Sequence, residues 1–495
     1  MPLKKIGNSI SNFVNSNKDF PVIAAIAAGL YPILFYYSNN YPLVNSWDHF
    51  LFFMGSFLLL PIVLFVGAHK ISRLPYFKKG RKYTLPFLNF FAFIFFLKIC
   101  LYGGFQKKII GVLFLVALLY SLFFYKHYLK IVVVQYFLAI LGFFALLNTL
   151  FIYPLPSQEW KTPVDDIEKV SFKTKPNIYL IQPDGYVNFS ELKKGHYQFK
   201  DNSFEDSLRQ LGFINYPNFR ANYASTLYSN SATFMMKHHY YNGGSVFNEA
   251  IGAREDIVSD NSVLRILKNN GYKTHFISQS PYLLLNRPKL GYDYSNFSYK
   301  ETGFLSTGFT GERYVEQEME MLLAENRKHP NFYFIEFFSP GHINGKKEES
   351  EGVQQEKENW FTRLKISNKT ITTLVTQILA KDPNALILIL SDHGGFVGME
   401  YTEQIYTKTQ DRNTLNSIFS SQLSIHWPHN NAPSIDVNFV SSVNVFRILF
   451  SYLSENNQYL EYLQEDASYT LIRKGAEKGV YKVIGSNGAI LFEKI

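Results

Sequence analysis

Asp392 and His393 stand side by side where an apolar run, Asn384-Ala-Leu-Ile-Leu-Ile-Leu390, ends in Ser391-Asp392-His393-Gly394-Gly395. A carboxylate and an imidazole on adjacent residues are oxygen and nitrogen donors suited to an ion such as Zn²⁺ or Mn²⁺. The two glycines after them let the chain turn away. A helix-capping Asp beside a surface His is the plainer alternative, and the pair alone does not choose. Two more apolar runs end in reactive residues. Asn177-Ile-Tyr-Leu-Ile181 leads into Gln182-Pro183-Asp184-Gly185, and Phe332–Phe338 leads into Ser339-Pro340-Gly341-His342. In Asn222-Tyr-Ala-Ser-Thr226-Leu-Tyr-Ser229, Thr226 precedes an apolar, helix-like segment, Ala232–Met236. A hydroxyl there is most simply an N-cap. Beside a metal it can instead ionise and attack a phosphorus or sulfur centre, with the helix end stabilising charge.

These residues need elements that bring them to one place. Short apolar runs bounded by turn residues read as buried strands of a parallel sheet. Such strands deliver the residues after them to the carboxyl edge, where open α/β folds bind ligands. Helices are expected over Phe204–Leu211, Ser262–Asn269, Tyr314–Asn326, Ile366–Ala380 and Ser441–Tyr452, and a further strand over Lys273–Ser278. Tyr481–Ile484 and Ala489–Glu493 read as a closing hairpin through Ser486-Asn487-Gly488. Strand and helix in alternation predict an α/β/α sandwich with a mainly parallel sheet.

The first third of the chain is of another kind. Five apolar segments, roughly Phe20–Tyr37, Leu51–Ala68, Leu85–Phe105, Ile109–Tyr125 and Ile131–Tyr153, each approach the ~20 residues that span a bilayer as helix. The net charge of +9 resides here: up to Tyr153 there are 14 Lys+Arg against Asp19 and Asp48. Their placement alternates between loops. Lys4, Lys5 and Lys18, then Lys70 to Lys82, then Lys126 and Lys130 mark one side; the other has only Lys107 and Lys108. Positive loops stay cytoplasmic, which puts the amino terminus inside and everything after Tyr153 outside. The charge therefore orients a membrane protein and argues against nucleic-acid binding. Lys98, within the third span, is expected to snorkel to the outer interface. The one cysteine, Cys100, lies in a span, so the remainder can form neither a disulfide nor a cysteine metal site. The organisation expected is a cytoplasmic tail over 1–18, a five-helix membrane domain over 19–153, a solvated linker over 154–175 with Asp165, Asp166 and Glu168, and an extracytoplasmic domain over 176–495.

In order and spacing, Asn177–Asp184, Thr226-Leu-Tyr-Ser229 and Ser391-Asp392-His393-Gly394 resemble the alkaline phosphatase superfamily in its sulfatase-like branch. The resemblance extends from about Pro176 to the carboxyl end. It is to the membrane-anchored group that includes lipoteichoic acid synthase and lipid A phosphoethanolamine transferase, which also places five membrane helices before its catalytic domain. It implies one divalent ion (Zn or Mn favoured, Ca an option) on Asp184, Thr226, Asp392 and His393. It implies Thr226 as nucleophile, and His342 as a residue that touches substrate or protonates the leaving group. Some features depart from the pattern. Asp184 stands alone where sulfatases carry two adjacent acids. Thr226 stands where sulfatases need Cys or Ser to make formylglycine. Phe338 replaces the Asp of an Asp-x-x-Gly-His element found in two-zinc phosphodiesterases. The cysteine-free outer part differs from the usually disulfide-bonded lipid A enzymes.

The function expected is a membrane-anchored, metal-dependent transferase of a phosphoethanolamine- or phosphoglycerol-type group. It would take the group from a phospholipid donor and pass it to a glycan or lipid acceptor through a phospho-threonine. The compartment is the cytoplasmic membrane of a bacterial-type cell. A phosphate or sulfate ester hydrolase and a non-catalytic module of an envelope assembly system are the alternatives. His238 and His239 are read as facing solvent. Arg287 and Arg412 are candidate phosphate clamps, with surface positions the commoner case. His196, His275, His329, His426 and His429 have no partner legible in the sequence.

Overall fold

The computed structural model describes residues 2–152, 157–241, 250, 252–305, 311–325 and 328–495. The chain forms two compact units, one built mainly from the amino-terminal helices and one from the rest.

Among the described residues of the first unit, four helices are long and apolar enough to cross a membrane: Pro21–Val44, Trp47–Ser72, Arg81–Tyr102 and Lys107–Phe151. The last of these covers the fourth and fifth expected segments. It consists of Lys107–Phe124 and Tyr128–Ile152, joined by a 3₁₀ turn at Tyr125–His127. The expected tail also holds a helix, Pro2–Val14. Inside the bundle, Asn89 and Gln135 exchange amide hydrogen bonds of 2.8 and 3.1 Å, which satisfies polar groups where water is scarce. Lys98 extends to the carboxyl end of its own helix. Its Nζ donates to the carbonyls of Gly103 and Gly104, at 2.8 and 2.5 Å, and so caps its own helix. Arg287 belongs to this unit, 3.6 Å from Asp48 with its guanidinium over the Phe304 ring.

The second unit is built on a seven-stranded sheet. Its strands are β1 (Ile178–Pro183), β2 (Phe213–Asn215), β3 (Lys273–Ser278), β4 (Tyr294–Ser295), β5 (Asn331–Phe337), β6 (Leu386–Leu390) and β7 (Leu423–His426). Their order is β2-β7-β6-β1-β5-β3-β4. β6, β1, β5, β3 and β4 run parallel, and β7 is antiparallel to both of its neighbours. Alternate residues of the central strands feed two separate cores. Ile178, Leu180, Phe332, Phe334, Leu386 and Leu388 face one, whereas Tyr179, Ile181, Tyr333, Ile335, Ile387 and Ile389 face the other. Helices cover both faces, as the near-continuous apolar strands require. A second, antiparallel sheet joins β8 (Ser468–Ile472), β9 (Gly479–Ile484) and β10 (Ile490–Lys494), the last two being the expected hairpin.

Three expectations need correction. The helix placed at Ile366–Ala380 begins at Val353 and runs to Lys381. Its buried stripe begins at Glu356, a polar residue that broke the apolar period in the sequence ahead of Ile366. The 154–175 segment is not a solvated linker where it is described. Ile167, Val170 and Phe172 are core residues; Asp165 forms a buried pair with Arg447 at 2.7 Å, and Glu168 pairs with Arg265 at 2.6 Å. Pro154 and Pro156 lie outside the described residues. His238 and His239 do not face solvent: they are 2 % and 6 % exposed. His239 stacks on Tyr223, and its Nε2 lies 2.8 Å from the Tyr228 carbonyl. Burial holds their pKa values at about 4 and about 3, so both are neutral core residues.

Candidate active site

β6, β1 and β5 are adjacent and parallel, so the residues that follow them emerge at one edge. Asp184 follows β1, His342 follows β5, and Asp392-His393 follow β6. The loops approach closely. At Gly185, φ is +65°, and a Cβ there would stand 2.2 Å from the carbonyl oxygen of Gly341, so only glycine fits.

Asp184, Asp392 and His393 form a buried cluster whose ligand-type atoms lie within 4.8 Å of one another. His393 Nδ1 donates to the Gly394 carbonyl at 2.8 Å, because a carbonyl can only accept. Its Nε2 is thereby turned to the acids, 3.4 Å from Asp184 Oδ1 and 3.3 Å from Asp392 Oδ2. Asp392 Oδ1 accepts from the amides of Gly185 and His393, at 3.1 and 2.9 Å. Its buried Oδ2 accepts no hydrogen bond among the described residues. Burial, then the neighbouring Asp392 charge, raises the Asp184 pKa to about 7. Burial alone would depress the His393 imidazole, but the two carboxylates reverse this and raise it. Two buried acids at this separation, one with an orphaned oxygen, fit a divalent cation, which would remove the repulsion and take up the free oxygen.

Thr226 is the first residue of a helix, Thr226–Met235. The cap position is Ser225, one residue earlier, whose side chain makes no capping bond. The Thr226 hydroxyl therefore has no capping duty. It lies 3.4 Å from Asp184 Oδ1, half-buried, and lines a cavity of about 350 Å³. Two other residues of the same helix face set its register. Asn230 exchanges amide bonds with Gln182 of β1 at 2.7 and 2.9 Å, and Ser229 bonds the main chain of Asp392. His342 lines the same cavity, exposed within its wall. Its Nδ1 donates to the Ile343 carbonyl at 2.7 Å, leaving Nε2 as the free ring nitrogen.

The structure thus gathers Asp184, Thr226, His342, Asp392 and His393. Arg287, Arg412 and the other histidines singled out in the sequence do not line this cavity. A second opening, about 440 Å³, lies beside Asn177, Pro330 and Asp382 at the amino ends of the strands, away from these residues. Glu336 escaped the sequence reading. It is fully buried in β5, in register with Gln182 and Ser278, and accepts from Ser278 Oγ at 3.1 Å. Burial, with smaller contributions from Asp392 and Asp184, raises its pKa to about 8. A lone Glu inside the apolar run Phe332–Phe338 was the available signal.

No curated protein matches the sequence. Solved structures that are similar include lipooligosaccharide phosphoethanolamine transferase A from Neisseria meningitidis, an integral membrane protein. It shares 12 % identity over 88 % of this chain and 97 % of that one, with a TM-score of 0.41. Lipoteichoic acid synthase LtaP from Listeria monocytogenes shares 14 % identity over 66 % and 91 %, with a TM-score of 0.41. The periplasmic domain of EptC from Escherichia coli, in complex with Zn, shares 10 % identity over 66 % and 97 %, with a TM-score of 0.42. The sulfatase family model matches residues 198–454, over half of the sequence and inclusive of Thr226, His342, Asp392 and His393. The chain belongs to the sulfatase family, within the alkaline phosphatase superfamily.

Proposed function

We propose that the protein transfers a phospho-alcohol group, of the phosphoethanolamine or phosphoglycerol type, from a phospholipid to a glycan or lipid acceptor. The observation that carries this reading is the Thr226 hydroxyl, free of capping duty and 3.4 Å from Asp184 beside the buried Asp392-His393 pair. Asp184, Asp392, His393 and Thr226 Oγ would hold one divalent ion, Zn or Mn by the nature of the donors. Bound there, the ion would lower the cost of ionising the Thr226 hydroxyl and offset charge at phosphorus. Thr226 Oγ attacks phosphorus as the bond to the lipid alcohol breaks. The proton lost by Thr226 ends on that alcohol, handed over by His342 Nε2. An acceptor hydroxyl then attacks the phospho-threonine, returns a proton by the same nitrogen and frees Thr226.

The two helices within Lys107–Phe151, separated by the turn at Tyr125–His127, support five spans. With the basic loops inside, the catalytic unit faces the outer side of a cytoplasmic membrane, where a lipid donor is at hand. Threonine favours transfer over sulfate-ester hydrolysis, since it cannot be converted to formylglycine. Incubation of the purified protein with labelled phospholipid, followed by mass analysis of the Thr226 peptide, tests the reading. The expected mass gain is phosphate plus the donor's head group; an unmodified peptide during turnover would refute it.

A further inference from the structure

The loop that carries His342 is held by side chains. Four consecutive carbonyls beyond β5 accept from the long helix Val353–Lys381. Ser367 Oγ donates to Ser339 O at 3.0 Å, Arg363 Nε to Pro340 O at 2.7 Å, Trp360 Nε1 to Gly341 O at 2.9 Å, and Arg363 Nη2 to His342 O at 3.1 Å. Positions 360, 363 and 367 share one helix face, so a single rigid element makes every one of these bonds. The amides of the loop bond in other directions. Gly341 N donates to Asp184 O at 2.8 Å and Ile343 N to Gly395 O at 3.2 Å. A Cβ at Gly395 would stand 2.2 Å from Trp360 Nε1, so the helix also packs directly on the turn after His393. The loop is therefore fixed between the helix and the two turns that carry Asp184 and Asp392-His393.

Arg363 has a distinct part in this. It is half-buried, and its planar fork grips the carbonyls on both sides of Gly341, a restraint that a lysine could not reproduce. With His342 Nδ1 tied to the Ile343 carbonyl, the place of Nε2 follows the peptide that Arg363 holds. We infer that Arg363 is a positioning residue, which aims His342 Nε2 at the departing alcohol through the carbonyls of Pro340 and His342. The assignment rests on His342 delivering a proton as proposed above.

A purely structural Arg363 would affect all substrates alike; a positioning one affects only leaving groups that need a proton. The full-length protein is assayed with a phospholipid, whose alkoxide needs a proton, and with a p-nitrophenyl phosphodiester, whose leaving group does not. Read on the first turnover, before the acceptor step that also uses His342, His342→Ala should slow release of the lipid alcohol ~10²–10⁴-fold and leave the nitrophenolate burst nearly unchanged. Arg363→Gln should slow the lipid reaction about 10–100-fold, the scale of a misplaced catalytic group, with unchanged metal content. Arg363→Lys, which keeps one donor, should fall between, and carries the comparison if the Gln variant unfolds. Equal losses on both substrates, or no loss, would overturn the inference, as would a His342→Ala enzyme without leaving-group dependence. A Thr226→Ala protein that still turns over the nitrophenyl substrate would instead refute the nucleophile, which is a separate failure.

Discussion

Ser229 Oγ donates to the main-chain carbonyl of Asp392 at 2.7 Å, and so joins the helix that begins at Thr226 directly to the turn after β6. Ser229 is fully buried, and one turn of helix separates it from Thr226. The distance between hydroxyl and carboxylates is thus set by a bond that involves neither. Ser229→Ala should leave a buried acceptor unpaired, costing about 1–3 kcal/mol of stability. It should lower turnover more than metal content. Calorimetry, elemental analysis and turnover on one preparation check this; loss of metal in proportion to activity would count against it.

Replacing Thr226 tests the proposed nucleophile directly. Thr226→Ala should lose turnover by several orders of magnitude while keeping the fold, comparable to the ~10⁶-fold losses on deletion of other nucleophiles. Thr226→Ser keeps the hydroxyl and should retain part of the activity. Near-normal turnover by Thr226→Ala would sink the covalent mechanism.

Asp392→Ala should remove bound metal together with activity, because the proposed site would lose one of its two anionic ligands. Elemental analysis of the purified variant decides the matter. Unchanged metal content would mean that the ion sits elsewhere.

Metal-free protein should lose stability as pH rises. Asp184 is raised from the ordinary 3.8 to about 7, and Glu336 from 4.5 to about 8. Both groups bind protons more tightly folded than unfolded, so their stabilisation is complete below about 4 and lost as pH climbs through 7 to 8. A divalent ion should abolish the Asp184 share of this loss, since it favours the ionised form. Unfolding temperatures measured from pH 5 to pH 8, with and without chelator, should therefore diverge toward the alkaline end. Parallel curves would contradict the placement of the ion at Asp184.

Orientation is open to a direct test. A reporter active only outside the cytoplasm should work when fused after Tyr153 and fail when fused near Lys79, because basic loops are retained inside. The opposite pattern would place the catalytic unit in the cytoplasm.

The apolar segments of the membrane unit, the strands β1, β3, β5 and β6, and the ionisable residues at the ends of three of them were all legible in the amino-acid order. These are local properties: an apolar run bounded by turn residues reports burial and termination without reference to distant chain. Thr226 was legible only as a hydroxyl at a helix start, with capping as its alternative. The fold put Ser225 in the cap position and Thr226 beside Asp184. Strand order was also settled by the fold. Nothing local in Asn177–Ile181 states that its neighbours are β5 and β6, because pairing partners lie far apart in the chain and their apolar faces are alike. The first turns of Val353–Lys381, with Trp360 and Arg363, were hidden because their buried stripe begins at Glu356. Glu356 is buried because it accepts from the Asn344 and Glu351 amides, and Ser367 because it bonds the Ser339 carbonyl. A polar residue is buried where a distant segment supplies its partner, and hydrophobic periodicity cannot register a partner that only the fold brings near.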